Sequence, residues 1–125
     1  MTPEGKVRTY LRKRAKALGF EHRKLRWIGR RGAPDEYVFW PEGMISTFPR
    51  EPVGPTPLGL RPVGLRRVPL AAYAEVKRLG EVPEAHQQRE IDRLRDAGHV
   101  VYVVDSPAQV DAMLDDLTAV LRTTS

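Results

Sequence analysis

The sequence has no cysteine among its 125 residues and no apolar run near the ~20 residues that a membrane-spanning helix needs. The lack of cysteine excludes disulfides, thiolate metal sites and a cysteine nucleophile. The three histidines, His22, His86 and His99, are too scattered to predict a zinc site. The first residues contain no hydrophobic segment of a signal peptide, so we expect a cytoplasmic protein without a membrane partner.

Several common active-site motifs are also missing. The sequence contains no glycine-rich phosphate loop ending in Lys-Ser/Thr, no Gly-x-Ser-x-Gly motif and no His-Glu zinc motif. These absences argue against a P-loop nucleotidase, a serine hydrolase of the α/β type and a zinc protease.

The positive charge is concentrated at the beginning of the chain. Residues 1–31 contain eleven Lys and Arg against two Glu, a balance of +9, whereas residues 32–125 have a balance of −4. This asymmetry predicts a surface for a polyanion, most commonly nucleic acid, and a solvated basic helix face is the alternative. The candidate nucleic-acid-binding residues are Lys6, Arg12, Lys13, Arg30 and Arg31.

The spacing of apolar residues predicts an α/β domain. We expect a helix over 3–18 with Thr2 as its N-cap, strands over 20–28, 34–40 and 71–78, a helix over 83–97, a strand over 100–104 and a final helix capped by 105–107. The order is helix, three strands, helix, strand, helix. The continuous apolar run at 100–104 indicates a strand covered on both sides. A chain of this length forms one domain, 1–125.

One segment has a different composition. Residues 41–69 contain seven prolines and four glycines, which excludes a helix and disfavours a central strand. We interpret the segment as a long surface insertion with some edge-strand potential, carried by Leu58, Leu60, Val63, Leu65 and Val68. Three of its four arginines, Arg61, Arg66 and Arg67, could extend a polyanion surface, although a plain solvated loop is the simpler interpretation.

Three polar residues can meet if the predicted strands are neighbours. Glu75 and Lys77 are two apart, so a strand sends both side chains to one face and Ala74 and Val76 to the other. Asp35 lies near the start of the second strand. Two carboxylates beside an ammonium group can hold a divalent cation and activate water. Taken alone, the tetrapeptide from Ala74 to Lys77 fits an ordinary surface Glu–Lys pair better than a metal site.

Two helices contribute further candidates. Glu4 falls on the inward stripe of the first helix, where it could complement the helix dipole or reach a cation. Gln87 projects onto the face that Ile91 and Leu94 define, whereas Gln88 points away. An inward amide needs a partner. Gln87 is therefore either a satisfied core amide or a residue that orients something beside Glu75.

Taken together, these residues resemble the PD-(D/E)xK nuclease superfamily, and more closely its VRR-NUC domains, including the small stand-alone forms of phages and bacteria. The resemblance covers most of the chain. It rests on the order and spacing of short motifs, which are Glu4, Gly32-Ala33-Pro34-Asp35, Glu75-Val76-Lys77, Gln87 eleven residues before Gly98, and the 100–106 strand and turn.

The resemblance implies a restriction-endonuclease-like core, a mixed sheet flanked by helices, and hydrolysis of phosphodiester bonds that depends on Mg²⁺ or Mn²⁺. Asp35 and Glu75 would be metal ligands together with the Val76 carbonyl, and Glu4 would bind metal directly or through water. The location it implies is the cytoplasm of a bacterial or phage-infected cell.

The resemblance also implies roles for the remaining polar residues. Lys77 would position and activate the attacking water, and Gln87 would orient Lys77 or the water. Small relatives are similar to Holliday-junction resolvases and often form homodimers, so the expected partner is branched or structured DNA.

Two features depart from the family pattern. The long 41–69 segment replaces a brief hairpin, and Glu90 occupies a position that is commonly aromatic. The leading hypothesis is a metal-dependent, structure-selective DNA endonuclease. The alternatives are a nucleic-acid-binding module that keeps the fold without cleaving, and an adaptor whose basic helix binds an acidic protein.

Overall fold

The computed structural model describes residues 1–27, 32–47 and 65–124. In chain order the elements are α1 (Pro3–Ala17), β1 (Glu21–Lys24), β2 (Glu36–Phe39), β3 (Met44–Thr47), β4 (Leu65–Val68), β5 (Ala71–Val76), α2 (Ala85–Asp96), β6 (Val101–Val104) and α3 (Pro107–Thr124). No helix in these residues is long and apolar enough to cross a membrane.

The central element is a mixed sheet with the strand order β1-β2-β5-β6. β1, β2 and β5 pair antiparallel, with Glu36 opposite Ala74. β5 and β6 pair parallel, with Glu75 opposite Val103, and α2 lies in the connection between them. The predicted α/β fold class is therefore confirmed, with β5 in the interior of the sheet and β6 at one edge.

Two helices cover one face of this sheet. Alternation along β5 turns Ala72, Ala74 and Val76 toward this face, where all three are buried. They join the main core, to which α1 contributes Val7, Leu11 and Ala15 and α3 contributes Val110, Met113, Leu114 and Leu117. The opposite face carries Glu75, which α2 reaches through its residue Gln87. Because α2 lies there, β6 is packed on both faces although it is an edge strand.

The helix ends follow the sequence signals, with one correction. Thr2 caps α1 by accepting a hydrogen bond from the Gly5 N–H at 3.0 Å. The prediction that the second helix starts at Pro83 is wrong by two residues. Glu84 has extended backbone angles and is the N-cap, because the Gln87 side chain accepts a hydrogen bond from its N–H at 2.9 Å.

The strands are shorter than predicted, and the insertion contains a second, two-stranded sheet. β3 and β4 pair antiparallel, with Met44 opposite Val68. The expected extended structure is confirmed for Leu65 and Val68, while β3 carries no signal that sequence reasoning used. The predicted edge-strand residues Leu58, Leu60 and Val63, and also Arg61, lie outside the described residues.

Candidate active site

The Glu-x-Lys pair lies at the end of β5, on the face away from the main core. The Lys77 N–H donates to the Val104 carbonyl at 2.9 Å, so strand-like pairing continues one residue past β5 and keeps Lys77 on the same face as Glu75. The Lys77 Nζ is 3.8 Å from the Glu75 Oε1, and both side chains are less than a tenth exposed. A carboxylate and an ammonium group in this setting are poorly solvated, so each depends on its few neighbours.

Gln87 connects the two charges. Its Oε1 accepts a hydrogen bond from the Lys77 Nζ at 2.7 Å, and its Nε2 donates to the Glu75 Oε1 at 3.3 Å. The same Oε1 caps the backbone N–H of Glu84. Gln88 points elsewhere and donates to Asp92 at 2.9 Å. The inward direction predicted for Gln87 is confirmed, and its amide holds Lys77 beside Glu75.

Glu75 has a perturbed acidity. Burial, and then repulsion by the Asp35 carboxylate, raise the pKa of Glu75 from its ordinary 4.5 to about 7, against the opposing effect of Lys77. Glu4 raises it further and Arg8 lowers it. The charges of Asp35 and Glu4 are thus close enough to act on Glu75, and a cation placed among them would favour its ionised form.

Asp35 is fixed through its backbone. Its carbonyl accepts a hydrogen bond from the Leu25 N–H at 2.7 Å, which extends the pairing of β1 and β2. The preceding carbonyl, that of Pro34, accepts a hydrogen bond from the Trp27 indole at 2.6 Å, and Pro34 is fully buried. The carboxylate is therefore presented by a rigid turn at the start of β2.

Gly32 brings this turn against α2. It has a φ of +86°, and a Cβ at this position would lie 2.9 Å from the His86 Cδ2 and 3.1 Å from the Gln87 Cα. Because glycine has no side chain, the backbone of this turn can lie close to the start of α2. The turn that carries Asp35 and the helix that carries Gln87 are in direct contact.

Arg8 was missed as a site residue. One of its terminal nitrogens donates a hydrogen bond to the Asp35 Oδ2 at 2.8 Å, and the other is 3.9 Å from the Glu4 Oε2. Its Nε is 3.1 Å from the Glu36 Oε1 but is not aligned for a hydrogen bond. The available signal was its position four residues after Glu4 on α1, which places both on one helix face.

Glu36 was missed as well. It is completely buried, and the Arg12 guanidinium donates to its Oε1 at 2.6 Å. Strand alternation could have predicted its burial. Asp35 and Tyr37 face one side of the sheet, so Glu36 between them faces the other. Arg12 is therefore engaged with a buried carboxylate inside the protein, and its predicted contact with nucleic acid stays a prediction.

The other predicted residues lie in different settings. Glu4 is on the side of α1 that faces the site and is 41% exposed, whereas Lys6 and Lys13 are exposed on the same helix. Val76 is buried, and its carbonyl as a ligand stays a prediction. Arg30 and Arg31 lie outside the described residues.

The oxygen atoms of the site meet part of the requirement for binding a hard cation such as Mg²⁺. Within residues 1–27, 32–47 and 65–124, no three acidic or histidine side chains come together closely enough to hold a metal ion. The Oδ1 of Asp35 is nevertheless buried without a hydrogen-bond partner in this part of the chain. Mg²⁺ usually takes one or two protein carboxylates and completes its shell with water and phosphate oxygens. Asp35 and Glu75 fit that requirement.

A mixed α/β sheet that presents Pro-Asp on one strand and Glu-x-Lys on the next is the arrangement of a restriction-endonuclease-like, nuclease-type domain. Among solved structures, the chain is similar to one described as "VRR_NUC domain", with 34% identity and a TM-score of 0.67 over 92% of this chain and 97% of that one. The chain therefore belongs to the VRR-NUC family. No family model and no curated protein matches it.

Proposed function

We propose that the protein is a metal-dependent, structure-selective endonuclease that hydrolyses phosphodiester bonds in DNA. The observation that carries the proposal is the hydrogen-bonded group of Glu75, Gln87 and Lys77, with the Asp35 carboxylate within electrostatic reach. A buried lysine beside a buried carboxylate is costly to maintain unless the pair has further partners. Gln87 supplies those hydrogen bonds, and family membership supports a nuclease-type role.

Asp35 and Glu75 are the residues that would hold Mg²⁺ or Mn²⁺. The Asp35 Oδ1 has no hydrogen-bond partner among the described residues, so a cation could bind it. The pKa of Glu75 is raised, and a nearby cation would stabilise its ionised form. The Val76 carbonyl and Glu4 are proposed as additional ligands, Glu4 directly or through water. When bound, the ion would polarise the phosphate and lower the pKa of a coordinated water.

Lys77 contributes a fixed positive charge. Its ammonium group lies between Glu75 at 3.8 Å and Glu81 at 3.6 Å, and the Gln87 hydrogen bond sets its direction. A preorganised cation stabilises negative charge that develops on phosphate oxygens without reorganising during the reaction. The same ammonium group can donate a hydrogen bond that orients the attacking water. Gln87 acts through Lys77 and is a positioning residue.

The substrate is proposed to be DNA with a branch or another departure from duplex. Lys6 and Lys13 are exposed on α1, the helix that also carries Arg8 to the site. Lysines in this position would contact backbone phosphates without reading bases. A homodimer would place two such sites to cut opposed strands, which is the resolvase-like form of the proposal.

A cleavage panel tests the activity. The purified protein is incubated with branched, flapped, single-stranded and linear DNA in Mg²⁺, Mn²⁺ or EDTA, and its solution mass is measured in parallel. We expect cleavage of branched or flapped DNA with either metal and none in EDTA. Binding without cleavage in any metal would instead support the non-catalytic module, and negligible DNA affinity at low salt would support the adaptor.

Two pairs of neighbouring variants test the residue roles. Lys77→Ala should abolish cleavage, whereas Arg78→Ala should not, because Arg78 is 68% exposed and pairs with Glu81 at the surface. Gln87→Ala should lower kcat with little change in KM, and Gln88→Ala should change neither. Metal-dependent cleavage retained by Lys77→Ala would contradict the assignment.

A further inference from the structure

A row of aromatic side chains runs across the sheet face opposite the main core. Tyr37 and Tyr73, which are cross-strand neighbours, have ring centroids 5.0 Å apart. Tyr37 also lies 5.5 Å from Phe39, and Tyr73 lies 5.9 Å from Trp27 and 5.6 Å from His99. These distances are typical of aromatic packing, so the row is a continuous surface.

The row does not belong to the main core. Tyr37, Phe39, Tyr73 and Trp27 are only half-buried and are not among the residues packed against that core, which is built mainly from aliphatic side chains. A cavity of about 290 Å³ opens on this face, lined by Leu25, Arg26, Trp27, Tyr37 and Tyr73. Large apolar surface that remains accessible beside a cavity usually marks a binding site.

The row is continuous with the candidate active site. Along β5, Tyr73 is two residues before Glu75, and Tyr37 on β2 is two residues after Asp35, whose carbonyl extends the strand pairing. Residues two apart on a strand share a face and are separated by ~7 Å. Both features are therefore close enough to contact one DNA molecule.

The rim of the row is basic. The Arg23 guanidinium lies over the Phe39 ring, 5.2 Å from its centroid, and Arg26 lines the cavity. Residues 21–26 contain three Arg and Lys against one Glu, a balance of +2. A second copy of this chain docking by the same face would bring like charges together. A strand of DNA supplies both aromatic bases and negative phosphates.

We propose that this aromatic face binds unpaired nucleobases of the DNA strand adjacent to the phosphate at the active site. Bases stack on exposed aromatic rings in a sequence-tolerant manner, and nearby arginines hold the backbone. The inference rests on the proposed function and specifies its substrate class, which is DNA with an unpaired arm. In a perfect duplex the bases are already stacked and cannot use this surface.

Binding in EDTA tests the inference without cleavage. The probes are a fluorescein-labelled duplex and the same duplex with an unpaired oligo-dT arm, and Kd is measured by anisotropy. We expect the wild-type protein to bind the armed probe more tightly. Tyr37→Leu should reduce that preference by about tenfold and leave duplex binding unchanged. Tyr37→Phe retains the ring and should therefore keep the wild-type preference.

Tryptophan fluorescence gives a second measurement that does not depend on the Tyr37 variants. Trp27 and Trp40 are the two tryptophans, and Trp40 packs edge-on against the buried Phe20 at 5.3 Å. In a Trp40→Phe background, oligo-dT should quench the remaining fluorescence of Trp27, because stacking on a base quenches indole emission. A blunt duplex of equal length should quench it much less.

Three results would overturn the inference. They are equal affinity of the wild-type protein for both probes, an equal loss on both probes in Tyr37→Leu, and a fall in solution mass from dimer to monomer in Tyr37→Leu, which would assign the face to a second copy.

The two proposals can fail separately. If the protein prefers the armed probe but does not cleave DNA with any metal, only the proposed nuclease activity is refuted. If it cleaves DNA without preferring the armed probe, only the proposed aromatic site is refuted.

Discussion

The Arg8 guanidinium donates a hydrogen bond to Asp35 at 2.8 Å and so places a positive charge against the carboxylate proposed to bind metal. It thereby stabilises the acidic site in the absence of a metal. Arg8 also lies beside Glu36 at 3.1 Å, so it is attached to the core behind the site as well. A cation that approaches Asp35 must compete with this arginine.

This relationship predicts the metal affinity of an Arg8 variant. Arg8→Gln should bind Mn²⁺ about tenfold more tightly than the wild-type protein, because one competing charge worth ~1.4 kcal/mol is removed. The measurement is calorimetric titration of Mn²⁺ without DNA. Arg14→Gln is the control, since Arg14 pairs with Asp111 instead. Unchanged or weaker Mn²⁺ binding by Arg8→Gln would contradict the competition.

Glu36 should be important for stability. Glu36→Ala removes the buried carboxylate that the Arg8 and Arg12 guanidinium groups face. We therefore expect the free energy of unfolding to fall by about 3 kcal/mol. Arg14→Ala removes an exposed pair with Asp111 and should cost no more than ~1 kcal/mol. Urea unfolding at neutral pH compares them. Equal losses in the two variants would show that the Glu36 pairs contribute no more than a surface pair.

Gly32 should couple stability to activity. Gly32→Ala adds a methyl group 2.9 Å from His86 at a φ of +86°, whereas Gly80→Ala at a φ of +79° meets nothing within 4 Å. Both variants carry backbone strain of about 1–3 kcal/mol, and only Gly32→Ala adds a clash. We expect Gly32→Ala to be the less stable by thermal unfolding. It should also lose about a hundredfold in cleavage rate, because Asp35 and Gln87 shift apart. Gly80→Ala with the same activity loss would argue against this coupling.

Glu75 should make metal-free stability depend on pH. Its pKa in the folded protein, about 7, is raised from an ordinary 4.5, so the native state binds this proton more tightly than the unfolded chain. The stabilisation from this proton is complete below pH 4.5 and is lost as the pH rises toward 7, at about 1.4 kcal/mol per pH unit.

Glu75→Gln removes this titration. In EDTA, its free energy of unfolding should decline less between pH 4.5 and 7 than that of the wild-type protein. Glu42→Gln, at an exposed position, should retain the wild-type slope. Parallel pH profiles for the wild-type and Glu75→Gln proteins would mean that the pKa of Glu75 is close to its unfolded value.

Much of the site could be predicted because its residues obey local geometry. Alternation on β5 set the direction of Glu75 and Lys77, and the helical period set that of Gln87. The interaction of Arg8 with Asp35 could not be predicted in this way. It depends on how α1 lies across the sheet, which is fixed by side-chain packing between elements far apart in the sequence.

The same limit applies to helix α2 and to the insertion. Pro83 is a common first residue of a helix, but the hydrogen bond that the Glu84 N–H donates to the Gln87 side chain makes Glu84 the N-cap. β3 was not predicted because its sequence, Met44–Thr47, adjoins a proline-rich stretch and forms a strand by pairing with β4. Pairing partners of this kind are tertiary information.

The insertion begins and ends at the ends of β2 and β5 that lie farthest from the candidate active site. Phe39 is opposite Ala71, and the Trp40 N–H donates to the Leu70 carbonyl at 2.9 Å, whereas the Glu36–Ala74 pair lies toward Asp35. Since the two strands are already clamped there, doubling the segment between them would cost only ~0.6 kcal/mol of closure entropy. A longer or different segment between these strands could therefore give the domain a new recognition surface without moving Asp35 or Glu75.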